Sequence, residues 1–324
     1  MSKILHLDQK PKLTSSAYKK IAKFENLILP ENVSDEVILK EIRNAKYVIS
    51  GARYCGIEYF KIASNLIAVV LPSAGYDYID VEAATKNGIY VINAPRANSN
   101  AVAEISIGLM LAVARNISQS CQKVLKGQWV DEKIRNESGG FELTGKTLGV
   151  IGLGNIGSRI IELSRAFSME AICYTRRPSQ ERECKLGVKF VSLDMLMKQA
   201  DFVVICAALN PSTLGLVGEK QISLMKKTAF LINTARGKIV DYKALYKALS
   251  KKSIAGAGLD VLYSEPPGAN HPFFKLDNVV ITPHLGSRTR EANERISHLV
   301  VDEILRLELG KRPLHPVNQI YTKK

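Results

Sequence analysis

The stretch that most constrains this chain is Thr147-Leu-Gly-Val-Ile-Gly-Leu-Gly-Asn-Ile-Gly157. Apolar Leu148, Val150 and Ile151 stop at three glycines spaced G-x-G-x-x-G, at Gly152, Gly154 and Gly157. A helical pattern follows, with Ile156, Ile160, Ile161 and Leu163 toward one side. A strand that ends in a glycine turn and opens a helix is the setting in which this spacing binds a dinucleotide. Gly152 would allow the tight turn, Gly154 would let backbone approach a pyrophosphate, and Gly157 would let helix and strand pack closely. The pyrophosphate would rest on the helix N-terminus, with Asn155 and Ile156 opening the helix, where unpaired N–H groups and the dipole favour an anion. Any turn wanting positive φ also explains glycines, so the flanking strand and helix carry the dinucleotide reading.

With 324 residues, 46% hydrophobic and 23% charged, the chain suits a soluble globular protein of one large or two medium domains. The net charge of +14 points either to an anionic partner or simply to a lysine-rich composition. Lys243, Lys247 and Lys251 recur every fourth residue of a predicted helix and give a solvated face, and Lys323-Lys324 reads as a frayed end. No basic run alternates with aromatics, so no nucleic-acid partner is expected. Five cysteines (Cys55, Cys121, Cys173, Cys184, Cys206) form no CxxC pair and no metal-ligand spacing, so no metal is expected. Cys173 and Cys206 sit in apolar strand-like runs and read as small core residues. Such usage suits a reducing compartment. Met1 to Lys10 lacks the pattern of a signal peptide, and the longest apolar run, Ile105 to Ala114, is too short to span a bilayer. A cytoplasmic protein without a membrane partner is expected.

Strand and helix alternate along the first hundred residues. Strands are expected at 4–7, 47–49, 66–71 and 90–92. Helices are expected at 15–24, at 34–44 with Ser34 as cap, and at 81–87 closed by Gly88. Ser99 would cap a long helix to about Cys121, apolar nearly all round and therefore buried between domains or against a second subunit. Lys126 to Phe141, with the only tryptophan, reads as an extended connector or arm. From Leu148 six strands are expected, at 148–151, 171–174, 202–206, 229–233, 256–260 and 279–282, with helices at 155–168, 219–226 and 241–250. Six parallel strands opening on a glycine fingerprint describe a doubly wound dinucleotide domain. A last helix, 289–309, would return to the first domain. The expected fold class is therefore α/β, with residues 99–288 inserted into a discontinuous domain of 1–98 and 289–324. Two chain crossings would form a hinge and a cleft.

The second strand of the fingerprint ends at Ala171-Ile-Cys-Tyr174, where an acid would accept the 2′-hydroxyl of NAD. This chain has Thr175-Arg176-Arg177-Pro178 instead. A carboxylate there would repel a 2′-phosphate, whereas a guanidinium pairs with it bidentately. NADP(H) is therefore expected over NAD(H), the alternative being a pair of surface arginines. Three further residues stand at or just beyond strand ends, where open α/β sheets place their ligands: Arg236, Glu265 and His284. Singly they read as a surface arginine, a loop carboxylate and a capping histidine. Together they suit reduction of a 2-oxo acid. Arg236 would fork onto the substrate carboxylate, His284 would pass a proton to the carbonyl oxygen, and Glu265 would fix the imidazole tautomer and raise its basicity.

Six motifs now carry a resemblance over essentially the whole length. They are Gly75-Tyr-Asp-Tyr-Ile-Asp80, Asn98-Ser-Asn-Ala-Val-Ala-Glu104, Gly152-Leu-Gly-Asn-Ile-Gly157, Asn233-Thr-Ala-Arg-Gly237, Asp260-Val-Leu-Tyr-Ser-Glu-Pro266 and Pro283-His-Leu-Gly286. In order and spacing they resemble the D-isomer-specific 2-hydroxyacid dehydrogenases. The resemblance implies a Rossmann-type cofactor domain within a flavodoxin-like substrate domain, and Arg236, Glu265 and His284 as the catalytic triad. It implies substrate carboxylate binding by the N–H groups of Ala74 and Gly75, and a dimer interface on helix 99–121. Cofactor contacts would extend to Ala207, Ala208, Thr213, Thr234, Asp260, His284 and Gly286. The missing acid resembles NADP-preferring members, among them glyoxylate/hydroxypyruvate reductases. Phosphoglycerate dehydrogenases usually carry arginine where Ser50 falls, which argues against a phosphorylated substrate. Arg53 would contact a second anionic group of the substrate or stand as an exposed loop arginine. Two alternatives remain: an NAD-linked phosphoglycerate-type dehydrogenase, and a dinucleotide-sensing corepressor acting through partner proteins.

Overall fold

Parallel strand pairing organises two sheets. The computed structural model describes residues 2–8, 13–30, 32–129 and 139–320. They fall into two units, Met1–Asn98 with Arg288–Lys324, and Ser99–Ser287. Residues 130–138 of the expected connector and the terminal Lys323-Lys324 lie outside the described residues.

The first unit holds β1 (Lys3–His6), β2 (Glu25–Ile28), β3 (Tyr47–Ile49), β4 (Ala68–Val70) and β5 (Tyr90–Ile92). They form one sheet in the order β2-β1-β3-β4-β5, with every pairing parallel. That order is the flavodoxin-like one. Its connecting helices are α1 (Ser15–Lys20), α2 (Asp35–Ile42), α3 (Ile57–Phe60) and α4 (Val81–Lys86). Strand β2 and helix α3 were not expected, because Glu25-Asn-Leu-Ile is half polar and α3 is a single turn. Ser34 occupies the N-cap of α2, but its side chain makes no capping hydrogen bond.

The second unit holds β6 (Thr147–Ile151), β7 (Glu170–Tyr174), β8 (Lys189–Phe190), β9 (Phe202–Ile205), β10 (Phe230–Asn233), β11 (Gly256–Leu259) and β12 (Val279–Ile281). Their order is β12-β11-β10-β9-β6-β7-β8, again all parallel. Counted from β6, this is the dinucleotide-fold order 3-2-1-4-5-6 with a seventh strand added. The sheet thus has seven strands where six were expected. The two-residue edge strand β8 is too short to leave a periodic signal.

The single helix expected over 99–121 is two helices, α5 (Ser99–Ala114) and α6 (Ile117–Leu125), bent by 63°. Asn116 adopts left-handed φ 52°, and the Ala114 carbonyl, which a continuous helix would use itself, accepts from Phe141 N at 2.8 Å. Helix α5 is buried within its own unit, where Ile107, Leu109, Met110 and Val113 join Val150, Val204, Phe230 and Ile232 of the sheet. No residue of α6 is buried. The remaining α-helices of this unit among the described residues are α7 (Asn155–Ser164), α8 (Gln180–Leu186), α9 (Leu193–Gln199), α10 (Glu219–Ser223) and α11 (Tyr242–Ser250). In α7 the fully buried Ile160 and Ile161 contribute about 1.5–3 kcal/mol each.

The last helix, α12 (Arg290–Glu308), is capped by Thr289, whose hydroxyl accepts from Ala292 N at 3.1 Å. Its Ile296, Val300, Val301 and Ile304 pack on the first unit's Ile4, Tyr47, Ile49, Val70 and Ile92. The opposite face of that sheet buries Leu5, Val48, Val69 and Val91 against Ile38 and Ile42 of α2. Successive strand residues thus alternate between two covered faces, which is why these strands read as uninterrupted apolar runs. No single helix among the described residues is long and apolar enough to cross a membrane.

Candidate active site

Strand β6 runs into the glycine loop and α7. Gly152 has φ 95°, and a Cβ there would stand 2.7 Å from Ala207 N; a Cβ on Gly157 would stand 2.5 Å from Gly152 O. The fold itself demands those two glycines. Gly154, the N-cap of α7, differs, since a Cβ there would meet nothing within 4 Å. Open space over that backbone, at a helix N-terminus, fits a phosphate drawn close to it.

A groove of about 490 Å³ lies along this loop. Of the expected cofactor residues it brings together Gly152, Gly154, Thr175, Arg176, Arg177, Ala207, Ala208 and Thr213. Asn155, Ile156 and Gly157 belong to the first turn of α7 behind it. Leu153, Tyr174, Arg182, Cys206, Asn210 and Ser212 also line it, none of them expected at the cofactor from the sequence. No Asp or Glu lines the groove. Arg176 Nη1 donates to Ser212 Oγ at 2.7 Å, whereas the guanidinium of Arg177 makes no hydrogen bond with a described residue. Cys206, expected in the core, is half-buried at the groove. Cys173 is fully buried, and burial pushes its thiol up to about 12.

The chemistry-bearing residues stand past β10, β11 and β12. Beyond β10, buried Asn233 shapes the turn: its Oδ1 accepts from Ala235 N at 3.1 Å and its Nδ2 donates to Arg236 O at 3.0 Å. Arg236 Nη1 donates to Ala235 O at 2.9 Å. Thr234 is held by Ser106 of α5 at 2.8 Å. A Cβ on Gly237 would stand 2.0 Å from Leu262 O, so only glycine lets the Arg236 loop touch the loop carrying Glu265.

Glu265 and His284 meet directly, with Nδ1 to Oε2 at 2.6 Å, while Oε1 accepts from Leu262 N at 3.0 Å. A carboxylate can only accept, so Nδ1 carries the proton that bridges the pair. Burial is the largest influence on Glu265 and pushes it up. The hydrogen bond and charge of His284, the Leu262 amide and the charge of Arg236 outweigh it, and the carboxyl ends below its ordinary range.

Asp260, expected as a cofactor contact, is 2% exposed. Its Oδ1 accepts from Thr282 Oγ1 at 2.6 Å and Leu285 N at 2.8 Å, and its Oδ2 from Gly286 N at 2.8 Å. Its carboxylate thus holds the turn that carries His284, and Gly286 is the far end of that turn. His284 itself sits at φ 52°, its N–H donating to Asp260 O at 2.9 Å.

In the first unit, the loop after β4 carries Ala74 and Gly75. Asn93 Nδ2 donates to Ala74 O at 2.8 Å and Ser73 Oγ to Gly75 O at 2.7 Å, which fixes both peptide groups. Beyond β3, the N–H groups of Gly51, Ala52 and Arg53 converge on the Asp8 carboxylate at 2.9–3.3 Å. Arg53 Nη2 donates to Val33 O at 3.1 Å, and its Nη1 is buried without a hydrogen-bond partner among the described residues. No group of three or more His, Cys, Asp or Glu residues that could hold a metal occurs among the described residues.

Similarity to known proteins makes this chain a nicotinamide-linked oxidoreductase acting on CH–OH donors. The chain belongs to the D-isomer specific 2-hydroxyacid dehydrogenases: residues 107–286 match that family's NAD binding domain. It is 39% identical over 293 residues to a glyoxylate reductase of Pyrococcus horikoshii, covering 89% of this chain and 87% of that one. It is also 39% identical over 321 residues to a D-3-phosphoglycerate dehydrogenase of Methanocaldococcus jannaschii, covering 98% of this chain but 60% of the relative. Among solved structures, an NADPH-dependent glyoxylate/hydroxypyruvate reductase from Sinorhizobium meliloti, in complex with NADP and malonate, superposes with a TM-score of 0.86. That likeness covers 98% of this chain and 96% of the other at 28% identity.

Proposed function

We propose that this chain is an NADP(H)-preferring reductase of a small 2-oxo acid of the glyoxylate or hydroxypyruvate kind, yielding the D-2-hydroxy acid. The observation that carries the reading is the 2.6 Å Glu265–His284 pair at the strand ends of a sheet that also carries Arg236 and the glycine loop. The Arg236 guanidinium would fork onto the substrate carboxylate and polarise the adjacent carbonyl. The N–H groups of Ala74 and Gly75 would be contacts for a substrate carboxylate. His284, protonated at Nε2, would give that proton to the carbonyl oxygen as the carbon is reduced, and take it back in the reverse direction. Glu265 keeps the imidazole oriented. When bound, the nicotinamide supplies the hydride.

The cofactor would lie against Gly152, Gly154 and the first turn of α7, with Thr175, Arg176 and Arg177 at its adenosine end. A groove lined by arginines and by no carboxylate supports a 2′-phosphate over a 2′-hydroxyl. The NADP complex of the Sinorhizobium relative supports it too. The similarity to a phosphoglycerate dehydrogenase supports a second reading, a phosphorylated substrate, in which Arg53 would be the anion contact. Asp8 weighs against it, because a carboxylate already occupies the N–H groups of that loop. The exposed face of α6, with Ile117, Val124 and Leu125, suits a homodimer of a cytoplasmic enzyme.

Oxidation of NADPH and of NADH is to be followed in parallel with glyoxylate, hydroxypyruvate and 3-phosphohydroxypyruvate. Fastest turnover with NADPH and an unphosphorylated acid is expected. Turnover with the phosphorylated acid alone would replace this reading by the second.

A further inference from the structure

We infer that Arg182 determines cofactor choice as a third arginine of the groove, facing the phosphomonoester on the adenosine ribose. This rests on the NADP(H) reading above. Arg182 lies in the first turn of α8, whose start is fixed by Ser179: the Ser179 hydroxyl accepts from Arg182 N at 3.2 Å. From there the guanidinium spans two loops. Its Nη2 donates to the carbonyl of Leu153, inside the glycine loop, and its Nη1 approaches the carbonyl of Arg177 at 3.5 Å. The residue therefore ties the loop that would receive the pyrophosphate to the turn that would receive the 2′-phosphate.

Two of the five N–H donors of a guanidinium are engaged in this way. The other three have no partner among the described residues, and Arg182 lines the groove. No described carboxylate pairs with its charge. Arg176, Arg177 and Arg182 form no salt bridge with a described carboxylate. The acids in the same helix are turned elsewhere: Glu183 accepts from Phe190 N at 2.6 Å, and Glu181 is exposed outside the groove. Arg176 is likewise held by a neutral group, the Ser212 hydroxyl, which is itself bonded to Asn210 Oδ1 at 2.7 Å. Three guanidinium groups around one groove, two of them held only by carbonyls and a hydroxyl, repel one another until an anion of high charge enters. A phosphomonoester, close to dianionic at neutral pH, meets that requirement, and a ribose hydroxyl does not. Sequence spacing alone conceals the residue, because Arg182 follows Arg177 by five positions and only the turn into α8 brings it back over the loop.

The test is titration of NADPH and NADH by cofactor fluorescence with wild type, Arg182→Met and Arg182→Lys, with thermal melts checking that each variant folds. Wild type is expected to prefer NADPH. Arg182→Met is expected to weaken NADPH about tenfold or more and NADH by no more than about twofold. Arg182→Lys, which keeps the charge and loses the fork, should recover part of the NADPH affinity. Equal weakening of both cofactors would reduce Arg182 to a loop staple and overturn the inference. An unchanged ratio in Arg182→Met, with wild type still preferring NADPH, would overturn this role alone. Indifference of wild type to the two cofactors would instead overturn the NADP(H) reading itself.

Discussion

His284 is held by its neighbours in a backbone conformation that histidine seldom adopts, φ 52°, and such strain persists only where surrounding contacts over-determine it. Asp260 supplies those contacts through the N–H groups of Leu285 and Gly286. Two outcomes follow at this scale. Replacing His284 by Ala should lower kcat by about 10²–10⁴-fold, since that is what positioned proton transfer contributes; steady-state kinetics near pH 7 measures it, and near-normal turnover would remove His284 from the chemistry. Glu265 titrates below its ordinary value of 4.5 in the folded protein, so folding favours its ionised form. The stability it contributes is present above that value and is lost as pH falls below it. Acid unfolding of wild type and Glu265→Gln, followed by circular dichroism, should show curves that differ at neutral pH and converge below about pH 4.5. A difference that persists unchanged to about pH 3 would contradict this coupling.

At the scale of elements, the glycine loop and its strand and helix were legible because each residue type there answers a local demand. The bend at Asn116 was not legible: nothing in Leu-Ala-Val-Ala-Arg-Asn forbids helix, and the break depends on Phe141 claiming the Ala114 carbonyl from far along the chain. The break separates a buried α5 from an α6 whose apolar side chains stay exposed, Leu125 at 75% and Ile117 at 53%. Exposed apolar side chains two turns apart on a helix suit a subunit contact. Placing Glu at both Ile117 and Leu125 is therefore expected to convert a dimer to a monomer in sedimentation equilibrium, with the far-ultraviolet spectrum unchanged. Wild-type protein that sediments as a monomer would end the dimer reading. Arg182 leaves no sequence signal for a related reason, since α8 is only two turns long and polar over most of its length.

Over the whole molecule, the chain comes back to its first unit through α12 and the segment after it. Buried Glu303 accepts from Leu314 N at 3.0 Å and from His315 N at 3.1 Å. Asn318 accepts from Val91 N at 2.8 Å and donates to Ile89 O at 2.9 Å, so it takes the place of a further strand along the outer edge of β5. Loss of these paired backbone groups is costly because they are buried. Asn318→Ala should destabilise the protein by about 1–3 kcal/mol, read as a lower thermal midpoint with cofactor-binding parameters unchanged. A midpoint equal to wild type would mean that water replaces the side chain at no cost.

The fold class, the dinucleotide loop and the residues offered for catalysis could be read from the sequence because they rest on local rules. Apolar runs between turn residues make buried strands, glycines mark places where a Cβ cannot fit or a ligand must approach, and open α/β sheets present their working residues at strand ends. Only the tertiary structure decided which groups meet. Glu265 and His284 are nineteen positions apart and bonded at 2.6 Å; Asp260 is spent on the histidine turn; Arg182 folds back over the glycine loop. Pairings of that kind depend on how separate strands and loops lie beside one another in space, and no local pattern encodes that distance.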